Sequence, residues 1–127
     1  MSQDDRYPEA RHPEALTREY YRLVDAGDVE GVLGWFAEDA VYHRPGYAPM
    51  EGREALATFY GGERVIDSGS HDLEQVLVQG RDVAVRGRFR GRLKDGSTVD
   101  LGFADFITYD AQGRAATRRS YFETPAV

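Results

Sequence analysis

The chain is 127 residues long, enough for one domain with a substantial core, and it holds no cysteine, so a disulfide framework is excluded. Its 22 acidic and 16 basic residues give a net charge of −6, which argues against nucleic acid or an anionic membrane as a partner. The opening residues, Met1 to Arg6, carry neither the basic region nor the apolar stretch of a signal peptide, and a cytoplasmic location is expected.

Residues 1–13 contain Pro8, Pro13 and scattered charges, the composition of a flexible head lying loosely on the surface; residues 14–127 form the predicted domain. From Glu14 to Ala26 the apolar side chains Ala15, Leu16, Tyr20, Leu23 and Val24 recur at helical spacing, and Gly27 supplies a stop. Asp28 is placed to cap a second short helix, Val29 to Phe36. A brief strand, Ala40 to His43, ends at Pro45-Gly46, and a third helix opens at Gly52 and stops after Tyr60 at Gly61-Gly62. After Gly69 the chain reads as an antiparallel meander: His71 to Gln79, Val83 to Leu93, Thr98 to Tyr109 and Ala115 to Glu123, with Asp95-Gly96 as a hairpin turn. Helices followed by a meander give an α+β domain with helices on one face of the sheet.

One residue breaks the pattern. Leu101, Phe103, Asp105 and Ile107 share one face of their strand, which puts a carboxyl group in an apolar row. Such a group must be hydrogen-bonded, paired with a cation or protonated. On the last strand Ala116, Arg118, Ser120 and Phe122 share a face. Between Val83 and Leu93 the residues Val83, Val85, Phe89 and Leu93 oppose Arg86, Arg88, Arg90 and Arg92. No aromatic platform interleaves with those arginines, so cross-strand pairing with acids such as Glu74 and Asp100 is expected in place of nucleic-acid binding. His12, His43 and His71 are too scattered to suggest a metal site.

Ala26-Gly27-Asp28, Trp35 to Val41, Gly52 to Leu56 with Phe59-Tyr60, and the closing hairpin from Phe106 to Phe122 resemble the nuclear-transport-factor-2-like superfamily. Within it the chain is most similar to ketosteroid isomerases and SnoaL-like polyketide cyclases. The resemblance implies a cone-shaped fold, three N-terminal helices packed on a curved antiparallel sheet, with an apolar pocket between the layers and homodimerisation through the outer sheet face. It also implies a small hydrophobic ligand bearing a carbonyl, enol or acidic group. The expected chemistry is a cofactor-independent isomerase- or cyclase-type proton transfer, with no metal. The alternative is a non-catalytic ligand-binding or dimeric interaction module of the same fold.

By the same resemblance the oxyanion-hole tyrosine falls on Tyr20, its supporting tyrosine on Tyr60 and the protonated acid on Asp105, an arrangement in which an apolar site keeps a carboxylic acid neutral. The general base of ketosteroid isomerases falls on Arg44, which stays protonated, so that reaction by its usual route is not expected. His43 is the adjacent proton-transfer candidate, although His43 and Arg44 cannot both face the cavity of a regular strand. Arg44 and Arg118 are candidate anion binders, Arg118 near Asp105 would oppose the protonated state, and Ser120, Phe103, Phe122 and Trp35 complete the expected ligand contacts. The Arg-and-two-Asp set of limonene-epoxide-hydrolase relatives is absent, since its closing-strand acid falls on Ser120.

Overall fold

The computed structural model describes residues 12–125 and 127. Most of the predicted flexible head therefore lies outside the described residues; Pro13 is instead the first residue of helix α1 (Pro13–Asp25), where its missing N–H costs no hydrogen bond. The buried stripe of α1 is Thr17, Tyr20, Tyr21 and Val24, whereas Ala15 is exposed. The helix is thus rolled toward its two tyrosines. Helix α2 (Val29–Trp35) starts where Asp28 accepts a hydrogen bond from Gly31 N at 2.9 Å.

Phe36 is not helical as expected: its backbone is extended, and it begins strand β1 (Phe36–His43), four residues before the predicted start. After the short strand β2 (Met50–Glu51), helix α3 (Gly52–Thr58) passes into a π-helical turn, Phe59–Glu63, which replaces its predicted last turn. The remaining strands are β3 (Ile66–Gln79), β4 (Asp82–Leu93), β5 (Thr98–Tyr109) and β6 (Ala115–Phe122). Strand β3 begins five residues early because Ile66 to Ser70 pair with β4, a tertiary contact that outweighs their turn-like composition.

The strands form one curved, unclosed sheet in the order β2-β1-β6-β5-β4-β3, with the helices on its concave face. The expected all-antiparallel sheet has one exception: β1 runs parallel to β6. Near the middle of β4, a Cβ on Gly87 would stand 2.1 Å from the carbonyl oxygen of Asp72, beside the register shift between Leu73 and Gln75 of β3. Glycine there lets β3 approach closely at a bulge. Among the described residues no helix is long and apolar enough to cross a membrane, and no three His, Cys, Asp or Glu residues converge to hold a metal ion.

Candidate functional site

Strand register brings the inward polar residues together. Asp105 lies opposite Val85 on one side and Ser120 on the other, while Arg118 is flanked by Ile107 and Tyr42. Because side chains alternate along each strand, Tyr42 and Arg44 of the β1 edge, Arg118 and Ser120 of β6 and Asp105 of β5 share the concave face. Tyr20 and Tyr21 descend on them from α1, and the π-helical turn aims Tyr60 at the same point.

The resulting network has two branches that meet at Arg118 and Asp105. The Arg44 guanidinium donates to Tyr42 Oη at 2.9 Å, and Tyr42 and Ser120 are linked at 2.7 Å. Ser120 in turn donates to Asp105 Oδ1. Tyr21 and Arg118 both donate to Asp105 Oδ2, the latter at 2.9 Å. The other Arg118 nitrogen reaches Tyr20 Oη at 2.7 Å and Tyr60 Oη at 3.0 Å, and those two hydroxyls lie 2.6 Å apart. Tyr20, Tyr60 and Asp105 thus converge through Arg118.

Asp105 is the terminal acceptor of this network, and its ionisation follows. Burial alone would raise its pKa, but the Arg118 charge and the Ser120, Tyr21 and Arg118 hydrogen bonds outweigh burial and hold it below the ordinary carboxylate value. It is therefore a carboxylate, not the neutral acid implied by the resemblance. Burial pushes Tyr20 up and Tyr60 well up, so both remain neutral phenols able to donate. With Tyr60 donating to Tyr20, the Tyr20 proton is left for another acceptor.

Arg118 is clamped between the rings of Tyr20 and Tyr42, 4.4 and 4.5 Å from their centroids, and its Nε–H has no partner among the described residues. Arg44 packs over Phe59 and Phe122, and its Nε and second terminal nitrogen both point at the Val127 carbonyl oxygen, at 3.3 and 3.2 Å. Burial would lower the pKa of Arg44, but the neighbouring Tyr42 hydroxyl more than offsets this and the guanidinium stays charged.

The space between these groups is lined by Tyr20, Arg44, His71, Phe103, Asp105 and Arg118, among others, and measures about 20 Å³. The expected apolar pocket is therefore a polar, nearly filled interior with room for about one water. Phe103 and Phe122 line it as expected; Trp35, Tyr60 and Ser120 do not. Trp35 packs 4.5 Å from the Tyr20 ring and donates to the Leu16 carbonyl oxygen at 3.0 Å, which steadies the tyrosine from behind.

His43 requires a correction. Since Tyr42 and Arg44 point inward, His43 points outward, into a groove on the convex face with Phe106, Thr117 and Arg119. It has no access to the interior. Tyr21, Tyr42 and His71 were not identified from the sequence. Tyr42 was available by alternation from Arg44, and His71 by the same rule within β3, where it pairs with Phe89. Tyr21 was legible too, four residues after Thr17 and three before Val24, but a stripe anchored on Ala15 and Leu16 passes over it.

The profile of the SnoaL-like domain family matches residues 17–118. Among solved structures, a protein of unknown function from Burkholderia pseudomallei, described as NTF2-like, is 21% identical; the match covers 87% of this chain and 90% of that one, with a TM-score of 0.79. SalBIII, an epoxide hydrolase/cyclase-like enzyme in pyran ring formation in the polyether salinomycin, is 20% identical over 91% and 94% of the two chains, with a TM-score of 0.79. TerC, co-crystallized with polyporic acid, is 21% identical over 90% and 93%, with a TM-score of 0.78. At these identities the likeness to the solved structures establishes the fold.

Proposed function

This chain belongs to the SnoaL-like domain family, and from that premise we propose that it binds a small hydrophobic molecule with an acidic, carbonyl or enolic group and transforms it by proton transfer. The observation that carries this reading is a charge imbalance. Arg44 and Arg118 are buried together with one carboxylate, Asp105, and Asp105 is taken by Arg118. Arg44 meets no acidic side chain: it holds the Tyr42 phenol and a main-chain oxygen of Val127, although a buried cation is best met by an anion. Its two nitrogens sharing one carbonyl oxygen present the fork that a carboxylate fills bidentately. A ligand carboxylate takes the place of the Val127 oxygen on that fork, with Val127 displaced to admit it. Beside it, Tyr20 and Arg118 receive the ligand's carbonyl or enolate oxygen. The co-crystallization of TerC with an acid fits this reading.

The competing reading is a non-catalytic module that pairs through its outer sheet face, and it too has a specific support. Leu77, Phe106 and Tyr121 are exposed there, with the Phe106 and Tyr121 rings 5.8 Å apart. Titration with benzoylformate and with its neutral amide separates the two. The acid should bind at least about tenfold more tightly, the scale of one charge-assisted hydrogen bond, and Arg44→Met should remove the preference. Equal affinities in the unaltered protein would remove the acid-binding role and favour the non-catalytic module.

A further inference from the structure

We infer that His71, oriented by Asp25, is the proton-transfer base of this site. Arg44 occupies the place of the usual carboxylate base and His43 faces away, so the proposed chemistry lacks a proton acceptor unless another group enters the interior. His71 does so: it lines the same small space as Tyr20, Arg44, Asp105 and Arg118. Its ring is fixed among Tyr21, Phe89 and Phe103, at centroid distances of 5.0, 4.7 and 5.2 Å.

Both oxygens of Asp25 are committed to this one residue. Oδ1 lies 2.6 Å from His71 Nδ1, and Oδ2 accepts from the His71 backbone N–H at 2.9 Å. Asp25 is the last residue of α1, where the helix dipole disfavours a carboxylate. A merely solvated acid gains nothing from that position; one that holds an imidazole does. A carboxylate at this distance fixes the proton on Nδ1 and leaves Nε2 as the lone-pair nitrogen, and Nε2 has no hydrogen-bond partner among the described residues.

The step uses only these groups. Nε2 takes a proton from the carbon next to a bound carbonyl; the C–H electron pair forms the enolate double bond, and the carbonyl π pair moves to oxygen, where Tyr20 and Arg118 hold it. Asp25 stabilises the imidazolium. The same nitrogen then returns a proton to a carbon or to the oxygen; in heavy water the imidazolium trades its proton with solvent first, so the return delivers deuterium and no other reagent is consumed. Asp25 acts as a positioning residue.

This inference rests on the acid- and carbonyl-binding role proposed above, and two probes separate the failures. Benzoylformate has no exchangeable α-hydrogen and reads binding alone; phenylpyruvate adds an enolisable carbon whose exchange in heavy water is followed by NMR. The protein should bind benzoylformate and accelerate exchange of phenylpyruvate. His71→Gln should lower that acceleration on the order of 100-fold while benzoylformate affinity stays within a factor of about three. Asp25→Asn, which releases the ring to the wrong tautomer, should lower kcat for exchange by about tenfold or more with KM unchanged, a split that a merely structural tie between α1 and β3 would not produce. Failure of benzoylformate to bind overturns the acid-binding reading and this inference with it. Binding without exchange in the unaltered protein, or exchange that survives His71→Gln, overturns this inference and leaves the binding role standing.

Discussion

The two faces of the sheet hold the same kind of pair at nearly the same separation. On the outer face Arg86 meets Glu74 at 2.9 Å, Arg88 meets Asp100 at 2.6 Å and Arg90 meets Asp72 at 2.7 Å; on the inner face Arg118 meets Asp105 at 2.9 Å. The side chains of the outer pairs keep between 35% and 66% of their exposure, whereas those of Arg118 and Asp105 keep 4% and 1%. Contact distance therefore says little about what a pair does. Outside, water and salt screen the charges and the arginine row is a solvated ladder. Inside, each charge depends on its partner, and Arg44, met by no acidic side chain, is open to an anionic ligand.

The largest break in this comparison comes from removing one inner partner. Arg118→Met leaves Asp105 buried with two hydroxyl donors and should cost about 3–5 kcal/mol in urea unfolding. A loss below about 1 kcal/mol would mean that the interior screens charge as the outer face does. Acid offers a second measure of the same pair. Because the folded-state pKa of Asp105 is depressed, its contribution is complete above the ordinary carboxylate value of about 3.9 and is lost as pH falls through the lower folded value. Stability should thus fall steeply as the pH drops below about 4, and the Arg118→Met variant should lose part of that slope. An identical acid profile in the variant would assign the acid sensitivity to other carboxylates.

A smaller effect sharpens the contrast through backbone space. A methyl at Gly87 collides with the Asp72 carbonyl and crowds Phe103, so Gly87→Ala should cost about 1–3 kcal/mol. At Gly102 the nearest atoms to an added Cβ are those of the flexible Glu123 side chain, at 3.4 Å and beyond, so Gly102→Ala should fall within about 0.5 kcal/mol of the unaltered protein. Equal costs in thermal unfolding would show that close approach of β3 does not shape the concave face.

How much of this was legible in the sequence depended on periodicity. The period of two placed Asp105 inward and set Arg118 on one face with Ser120 and Phe122, a face that the family resemblance turned toward the interior, and the same alternation predicted the outer arginine ladder. The ionisation of Asp105 was not legible, because it depends on the register that sets Ser120 opposite Asp105 and Arg118 one row away. His71 was legible by the same alternation but was read only as the first residue of a strand; Asp67, Ser68, Gly69 and Ser70 before it have turn-like composition, and pairing with β4 sets it within a longer one. Phe36 was read as helical because it continues an apolar stripe, and Tyr60 because Gly61-Gly62 marks the helix stop just after it. Phe36 instead joins β6, and the backbone around Tyr60 widens into a π-helical turn that carries its hydroxyl to Tyr20. Local pattern located the charged groups; long-range pairing decided their state.

The smallest expected effect is on the outer face, and it is also the test of whether exposure alone separates the two sets of pairs. Arg86 contacts Glu74 and Gln75 with its side chain 60% exposed, so the attraction is screened and two long side chains lose rotamer freedom to make it. Arg86→Ala should therefore lower stability by less than about 1 kcal/mol, and raising the salt from about 0.1 to 1 M should shrink even that difference, since the Debye length falls from about 10 to 3 Å. Arg118→Met, measured in the same two salts, should keep nearly all of its cost, because ions do not reach a pair buried this deeply. If both variants lost their effect at high salt, the inner pair would be open to solvent, and the charge imbalance at Arg44 would no longer call for an anionic ligand.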